Sequence, residues 1–326
     1  MTTPTPTPRS VYCVLTPRSL PYAQLAFESL MARSLDDLDL TLITDEQGDK
    51  VLLEEAMEKL IPPSRHVWRV RSKADADERA AELFANLPEL AGFRSGHPCW
   101  RKITDPLLFA APGHEIVVID PDLYFPNEFR FETTPPTGVL LMHQPPNCMG
   151  PDEVVRRAYE QDIPLAHHVD IGVGQWRNDV DLEWLDATIG RLGGASLPCA
   201  MHVEVIVWAA LAMRVGGGYL DPEQWRCWRN SQWNRLLVRV GTPGRRILRA
   251  EPFQDMKCFH GGGAAKWWIP DVVAAGEMPP SGRLSTSTPI RPFEELTRAD
   301  YESTQRLKRW AGRAGYYRLA HGRSSS

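Results

Sequence analysis

The chain has 326 residues, with 43% hydrophobic and 24% charged side chains and a formal charge of −4. That is the composition of a globular protein of one large or two modest domains, with no general attraction to nucleic acid. No apolar run reaches membrane-spanning length, and the N-terminus lacks the basic-then-apolar pattern of a signal peptide. The six cysteines are scattered without a Cys-x-x-Cys pair, so buried thiols in a cytoplasmic protein are expected.

Residues 1–9 alternate Thr and Pro and are expected to form an extended tail with no core. Val11 to Thr16 reads as a first strand. Pro17 ends it, and a helix opens near Ser19-Leu20-Pro21. Leu38 to Thr44 reads as a second strand, ending at Asp45. Strand–helix–strand units of this length predict a parallel sheet, and ligands on such sheets sit beyond the carboxyl ends of the strands. Thr16, Pro17 and Asp45 occupy those ends. No Gly-x-Gly-x-x-Gly lies between strand and helix, so a nicotinamide fingerprint is absent.

Helices are predicted over 51–60, 74–90 and 100–110, with a short strand at 66–70. Lys102 lies near the start of the third helix, either as a solvated lysine or as a cation near a bound phosphate. The next strand, Glu115 to Ile119, runs into Asp120-Pro121-Asp122. Alternate residues of an extended chain point the same way. The two carboxylates should therefore project together from the strand's end, about 6–7 Å apart at the backbone. Hard oxygen ligands there suit a divalent cation carrying a phosphate; a plain turn capped by aspartates is the competing reading.

A further strand is predicted at 139–143, and a strand-like segment runs from His167 to Gly174. Its glycines suit close backbone approach, and at most one of the adjacent His167 and His168 can serve a single site. Helices are predicted over 181–192 and 203–213. Glu204 at the start of the second suits the helix dipole. Of Trp225, Trp228 and Trp233, at least two are expected in the core.

His260 is followed by three glycines and then Lys266-Trp267-Trp268. The glycines let backbone amides approach an anion, the imidazole can ligate a metal, and Lys266 can meet a phosphate. Residues 269–292 read as a linker. Residues 293–326 read as a basic helical extension. Its apolar face (Leu307, Trp310, Ala314, Tyr317) is expected to pack on its own domain, with docking on an anionic membrane surface as the other reading.

Three segments together resemble GT-A fold glycosyltransferases, and glycosyltransferase family 8 in particular. Asp120-Pro121-Asp122 resembles the D-x-D motif. His260-x-x-Gly263-x-x-Lys266-x-Trp268 resembles the C-terminal H-x-x-G-x-x-K-P-W motif, with Trp267 in place of the proline. Lys102-Ile103-x-x-Pro106 resembles the upstream R-L-x-x-P segment, with Lys for Arg. The likeness covers roughly Val11 to Trp268. It implies an α/β GT-A (Rossmann-like) fold whose mixed, mostly parallel central sheet is flanked by helices. The catalytic domain would span 10–268, with a donor half of 10–143 and an acceptor half of 144–268.

The resemblance implies that Asp120, Asp122 and His260 ligate Mn²⁺ or Mg²⁺. Lys266 and Gly263 would contact the diphosphate of a nucleotide sugar, with a UDP-sugar as donor. Lys102 would lie near the donor, and Thr16, Pro17 and Asp45 near its nucleoside. Asp170 stands where the family's N-S-G-V segment has Asn. The Asp-Gln pair of the family has no clear copy, since Glu204 precedes Val205. Retention is the family's outcome; an inverting enzyme would need a base, for which Asp170 and Glu204 are the candidates. A nucleotidyltransferase and a non-catalytic binding protein of the same fold are the competing classes. The acceptor is unassigned among glycan, lipid-linked sugar, peptide and natural product. The location expected is cytoplasmic, with peripheral contact at the inner membrane surface through the basic C-terminal helix as a further reading.

Overall fold

A computed structural model describes residues 7–229 and 231–313 of the chain. The N-terminal half contains β1 (Arg9–Val14), α1 (Leu20–Arg33), β2 (Leu38–Thr44), α2 (Gln47–Leu60), β3 (Val67–Ser72), α3 (Asp77–Leu83), α4 (Pro88–Arg94), α5 (Arg101–Phe109), β4 (Glu115–Ile119), β5 (Leu123–Tyr124), β6 (Glu128–Phe129), β7 (Val139–His143) and α6 (Asp152–Glu160). The remainder contains β8 (Val169–Arg177), α7 (Leu182–Leu192), α8 (Val203–Val215), β9 (Gly217–Tyr219), β10 (Trp225–Cys227), α9 (Gln232–Arg239), α10 (Gly244–Leu248), β11 (Cys258–His260), α11 (Ala265–Ala274), β12 (Arg283–Leu284), β13 (Arg291–Pro292) and α12 (Arg298–Arg313).

One sheet carries the order β3-β2-β1-β4-β8-β7-β10-β11-β5, with β9 joining β7 and β13 joining β9. The first four strands of that order are mutually parallel, and β8 is antiparallel to both β4 and β7. The central strands are buried on both faces, which explains why their sequences do not alternate. Ile116 and Val118 enter one core, and Val117 and Ile119 enter the other.

Two features of strand pairing place distant residues at the carboxyl end of β4. The β7–β8 register slips between Leu141 and Met142, so that Met142 pairs with Asp170 while Leu141 pairs with Gly174. The extra residues of β8 bulge, and the Asp120 amide donates to the Gly172 carbonyl at 2.9 Å. Further along, β11 runs antiparallel to β5 with His260 opposite Leu123, and the Gly261 amide donates to the Asp122 carbonyl at 2.9 Å. Strand pairing thus brings residue 260 beside residue 122.

The helix predicted over 74–90 is divided into α3 and α4. Pro88 lacks an N–H and starts the second helix, where that loss costs nothing. Residues 269–292, read from composition as a linker, contain the end of α11 together with β12 and β13, which pair with β6 and β9. Arg9, assigned to the tail, lies in β1 and forms an ion pair with Glu115 at 2.7 Å; residues 1–6 lie outside the described part.

Trp225 and Trp228 are buried, while Trp233 is exposed. The C-terminal helix corrects an expectation. Tyr301 is buried against Tyr159 and bonded to Asp152, but Leu307 and Trp310 are 65% and 69% exposed. Tyr301 and the Leu307–Trp310 pair lie on different sides of α12, so one side docks on the domain and the apolar pair does not. Ala314, Tyr317 and the rest of the tail lie outside the described residues. Among the described residues no helix is long and apolar enough to cross a membrane.

Candidate active site

The carboxyl end of β4 is the centre of the site. Asp120 and Asp122 project from it, and β11 delivers His260 from the far part of the chain. His260 Nε2 lies 3.2 Å from Asp122 Oδ1 and 3.7 Å from Asp120 Oδ2. Adjacent ligands of an octahedral cation with bonds of about 2.1 Å are about 3 Å apart. The 3.2 Å separation matches that spacing and the 3.7 Å one is wider; all three atoms lie within 4.8 Å of one another, and two carboxylate oxygens with one imidazole nitrogen suit a Mn²⁺ or Mg²⁺ ion.

Behind this set lies a buried ion triad. Lys102 Nζ is 2.7 Å from Asp120 Oδ1 and 2.8 Å from Glu204 Oε1. Burial alone would lower the Lys102 ammonium, but Asp120 and Glu204 outweigh it and hold it well above its ordinary range. The lysine is thus committed to the carboxylates rather than free for a phosphate. Burial raises the Asp120 carboxyl, with Lys102 opposing. Burial also pushes Glu204 up to about 7, again against Lys102. Glu204 Oε2 is buried without a hydrogen-bond partner among the described residues. Asp122 is held below the carboxylate range; burial opposes this, but His260 and Lys266 prevail.

The glycine loop closes the other side. A Cβ on Gly261 would meet Ile269 Cδ1 at 2.7 Å and the Lys266 nitrogen at 3.2 Å, so only glycine fits without a shift. Gly263 has φ +70°, a left-handed conformation that favours glycine. The loop leads into α11, whose N-terminus has no side-chain cap and no acidic residue in its first turn. Such an end, with free amides and a positive dipole, suits an anion. Lys266 Nζ stands 3.7 Å from Asp122 Oδ2 and 4.6 Å from the centre of the Tyr22 ring.

Asp170 lies on the bulged part of β8, buried beside His260 Nδ1 at 2.8 Å. Thr16 and Pro17 form the turn between β1 and α1, where the Ser19 amide donates to the Thr16 carbonyl at 2.9 Å. Asp45 is engaged by the buried Arg101, which also donates to the Thr44 carbonyl at 3.2 Å. His167 and His168 stack on each other at 3.5 Å, and His168 also meets His143. No ion pair links that histidine cluster to the acidic site among the described residues.

Sequence reasoning missed three neighbours. Cys227 joins Asp170 and His260 in one compact cluster. Arg101 pairs with Asp45, and Tyr22 lies under Lys266. Arg101 directly precedes Lys102, but nothing in the spacing marks which of two adjacent cations reaches which strand end. Cys227 becomes visible only once β10 and β11 pair with Cys227 opposite His260.

No family model matches the chain, and no curated protein matches it by sequence. Solved structures do match by shape. Mouse xyloside xylosyltransferase 1, apo form, superposes with a TM-score of 0.50 at 11% identity, covering 79% of this chain and 99% of that one. A galactosyltransferase, LgtC, in complex with donor and acceptor sugar analogues superposes less well, with a TM-score of 0.45 at 10% identity over 86% of this chain and 97% of that one. At such identities the likeness is one of fold. The chain has the mixed α/β GT-A architecture expected from its motifs.

Proposed function

We propose that the protein is a metal-dependent glycosyltransferase that moves a sugar from a nucleotide diphosphate sugar to an acceptor hydroxyl or other nucleophile. The observation that carries this reading is the convergence of Asp120, Asp122 and His260 at spacings fit for one cation, beside a glycine loop and an uncapped helix N-terminus. A cation with only three protein ligands keeps positions open for phosphate oxygens.

In this reading Asp120, Asp122 and His260 hold Mn²⁺ or Mg²⁺, which when bound acts as a Lewis acid on the diphosphate leaving group. Lys266 and the amides around Gly263 supply fixed positive potential for the same charge. The bond from the sugar's anomeric carbon to phosphate breaks, and a bond to the acceptor forms. Lys102 holds Asp120 and Glu204 in place rather than meeting the donor itself. Thr16, Pro17 and the Asp45–Arg101 pair border the nucleoside. UDP-sugar is the donor that the motif resemblance implies.

Two stereochemical courses differ in where the acceptor proton goes. With retention, the family's outcome, the departing phosphate takes it. With inversion a protein base takes it, and Glu204, held at about 7 with one oxygen unpartnered, suits that role better than Asp170. The exposed Leu307 and Trp310, set among Arg306, Lys308, Arg309 and Arg313, support contact with an anionic lipid surface.

The test is incubation with Mn²⁺ and a panel of UDP-, GDP- and other nucleotide sugars, followed by release of free nucleotide. Turnover of one donor, abolished by chelation, is expected. Absence of binding and turnover with every donor would remove the proposal.

A further inference from the structure

The ring of His260 has two nitrogens with two different neighbourhoods. Nε2 faces Asp120 and Asp122, while Nδ1 lies 2.8 Å from Asp170 Oδ1. The same oxygen of Asp170 accepts the Gly172 amide at 2.8 Å. A carboxylate can only accept, so the shared proton must sit on Nδ1. Nε2 faces the Asp122 and Asp120 carboxylates, which also only accept, so a cation held between them would take the place of the Nε2 proton while the Nδ1 proton stays directed at Asp170.

The backbone beside the ring makes room for this position. A Cβ on Gly172 would lie 2.6 Å from His260 Nδ1, 2.8 Å from its Cγ and 2.9 Å from Met142 Sδ. The absent side chain of Gly172 is therefore the space the imidazole occupies. Asp170 is buried at 8% exposure, and Cys227 closes the cluster from β10. An aspartate buried in this way, with Oδ1 taking both the Gly172 amide and the imidazole, is placed to orient the histidine rather than to meet an acceptor.

We infer that Asp170 is a positioning residue: it fixes the tautomer and orientation of His260 so that Nε2 can ligate a divalent cation with Asp120 and Asp122. This rests on the metal-site reading of the proposed function and replaces the role of base considered for Asp170. Carboxylates that orient ligating histidines typically change metal affinity by 10–100-fold when removed.

The test uses the full chain and metal alone, without donor. Mn²⁺ affinity is measured by calorimetry and by electron paramagnetic resonance for the native protein, Asp122→Asn and Asp170→Asn. Asp122→Asn should abolish tight binding; if it binds like the native protein, the metal-site reading itself fails. With that control in place, Asp170→Asn should weaken Mn²⁺ binding about 10–100-fold. Binding within twofold of native would overturn the positioning role. A readout that needs no variant is the imidazole ¹⁵N spectrum of the native protein with Cd²⁺ as a diamagnetic probe. Protonated Nδ1 with metal-bound Nε2 is expected, and metal-bound Nδ1 would overturn the inference.

Discussion

Replacing Lys102 by methionine probes the ion triad that supports the site. The substitution keeps the apolar stem and removes the ammonium between Asp120 at 2.7 Å and Glu204 at 2.8 Å. Breaking a buried pair by removing one partner typically costs about 3–5 kcal/mol. At about 2–4 °C per kcal/mol the lower figure corresponds to a fall of about 6–12 °C in melting temperature. The lower figure applies at pH 6, because Glu204, already held at about 7, then relieves the bare charge by keeping its proton. Without Lys102 that carboxyl is raised further above its unfolded value. The folded state then holds a proton that the unfolded chain has released, so stability falls as pH rises from about 4.5 through the raised value. The loss should therefore be larger at pH 9 than at pH 6. Adding Glu204→Gln to Lys102→Met should recover about 1–3 kcal/mol and flatten the pH dependence, whereas Glu204→Gln alone should destabilise. Denaturant unfolding of the four proteins at both pH values measures the coupling. Equal stability of Lys102→Met and native protein at both pH values, or a Glu204→Gln effect independent of Lys102, would refute the reasoning.

Asp122→Asn, assayed with Mn²⁺ and the preferred nucleotide sugar, should lower turnover at least about a hundredfold, and should also lower the melting temperature because it removes the charge facing His260 and Lys266; activity within threefold of native would count against a ligand role. His168 is pushed down to about 4 by burial and by His167 and His143. Its contribution to stability is complete above about pH 6.5 and is lost as pH falls from there toward 4. Urea midpoints between pH 7.5 and 4.5 should drop less steeply in His168→Gln than in the native protein, and identical slopes would show that this ring does not contribute. Leu307→Ser with Trp310→Ser should reduce sedimentation with vesicles of anionic phospholipid, relative to neutral vesicles, without changing melting. Equal sedimentation of native protein with both vesicle types would remove the membrane contact.

Much of the fold was legible because its central strands are short apolar runs ended by Pro or Asp. The D-P-D segment marked its own place at a strand end, as Val117 and Ile119 filled one core and Ile116 and Val118 the other. The histidine motif was legible as chemistry, but its return to Asp122 depends on β11 pairing with β5, which no local pattern specifies. The β8 bulge that brings Asp170 to His260 is likewise a matter of register between distant strands. Lys102 was read as a cation for phosphate; its commitment to Glu204 needs the N-terminus of α8 to pack against α5, a tertiary event. The exposed side of α12 escaped for a related reason. Periodicity shows which residues share a face, and only packing decides which face is covered.

The most direct measurement is a crystal grown with Mn²⁺ and UDP, with anomalous scattering recorded at the manganese edge. A peak within about 2.0–2.3 Å of Asp120, Asp122 and His260 Nε2, with diphosphate oxygens completing its coordination toward Lys266, is the predicted result. A peak elsewhere, or bound nucleotide with the His260 ring turned away from the two aspartates, would contradict it.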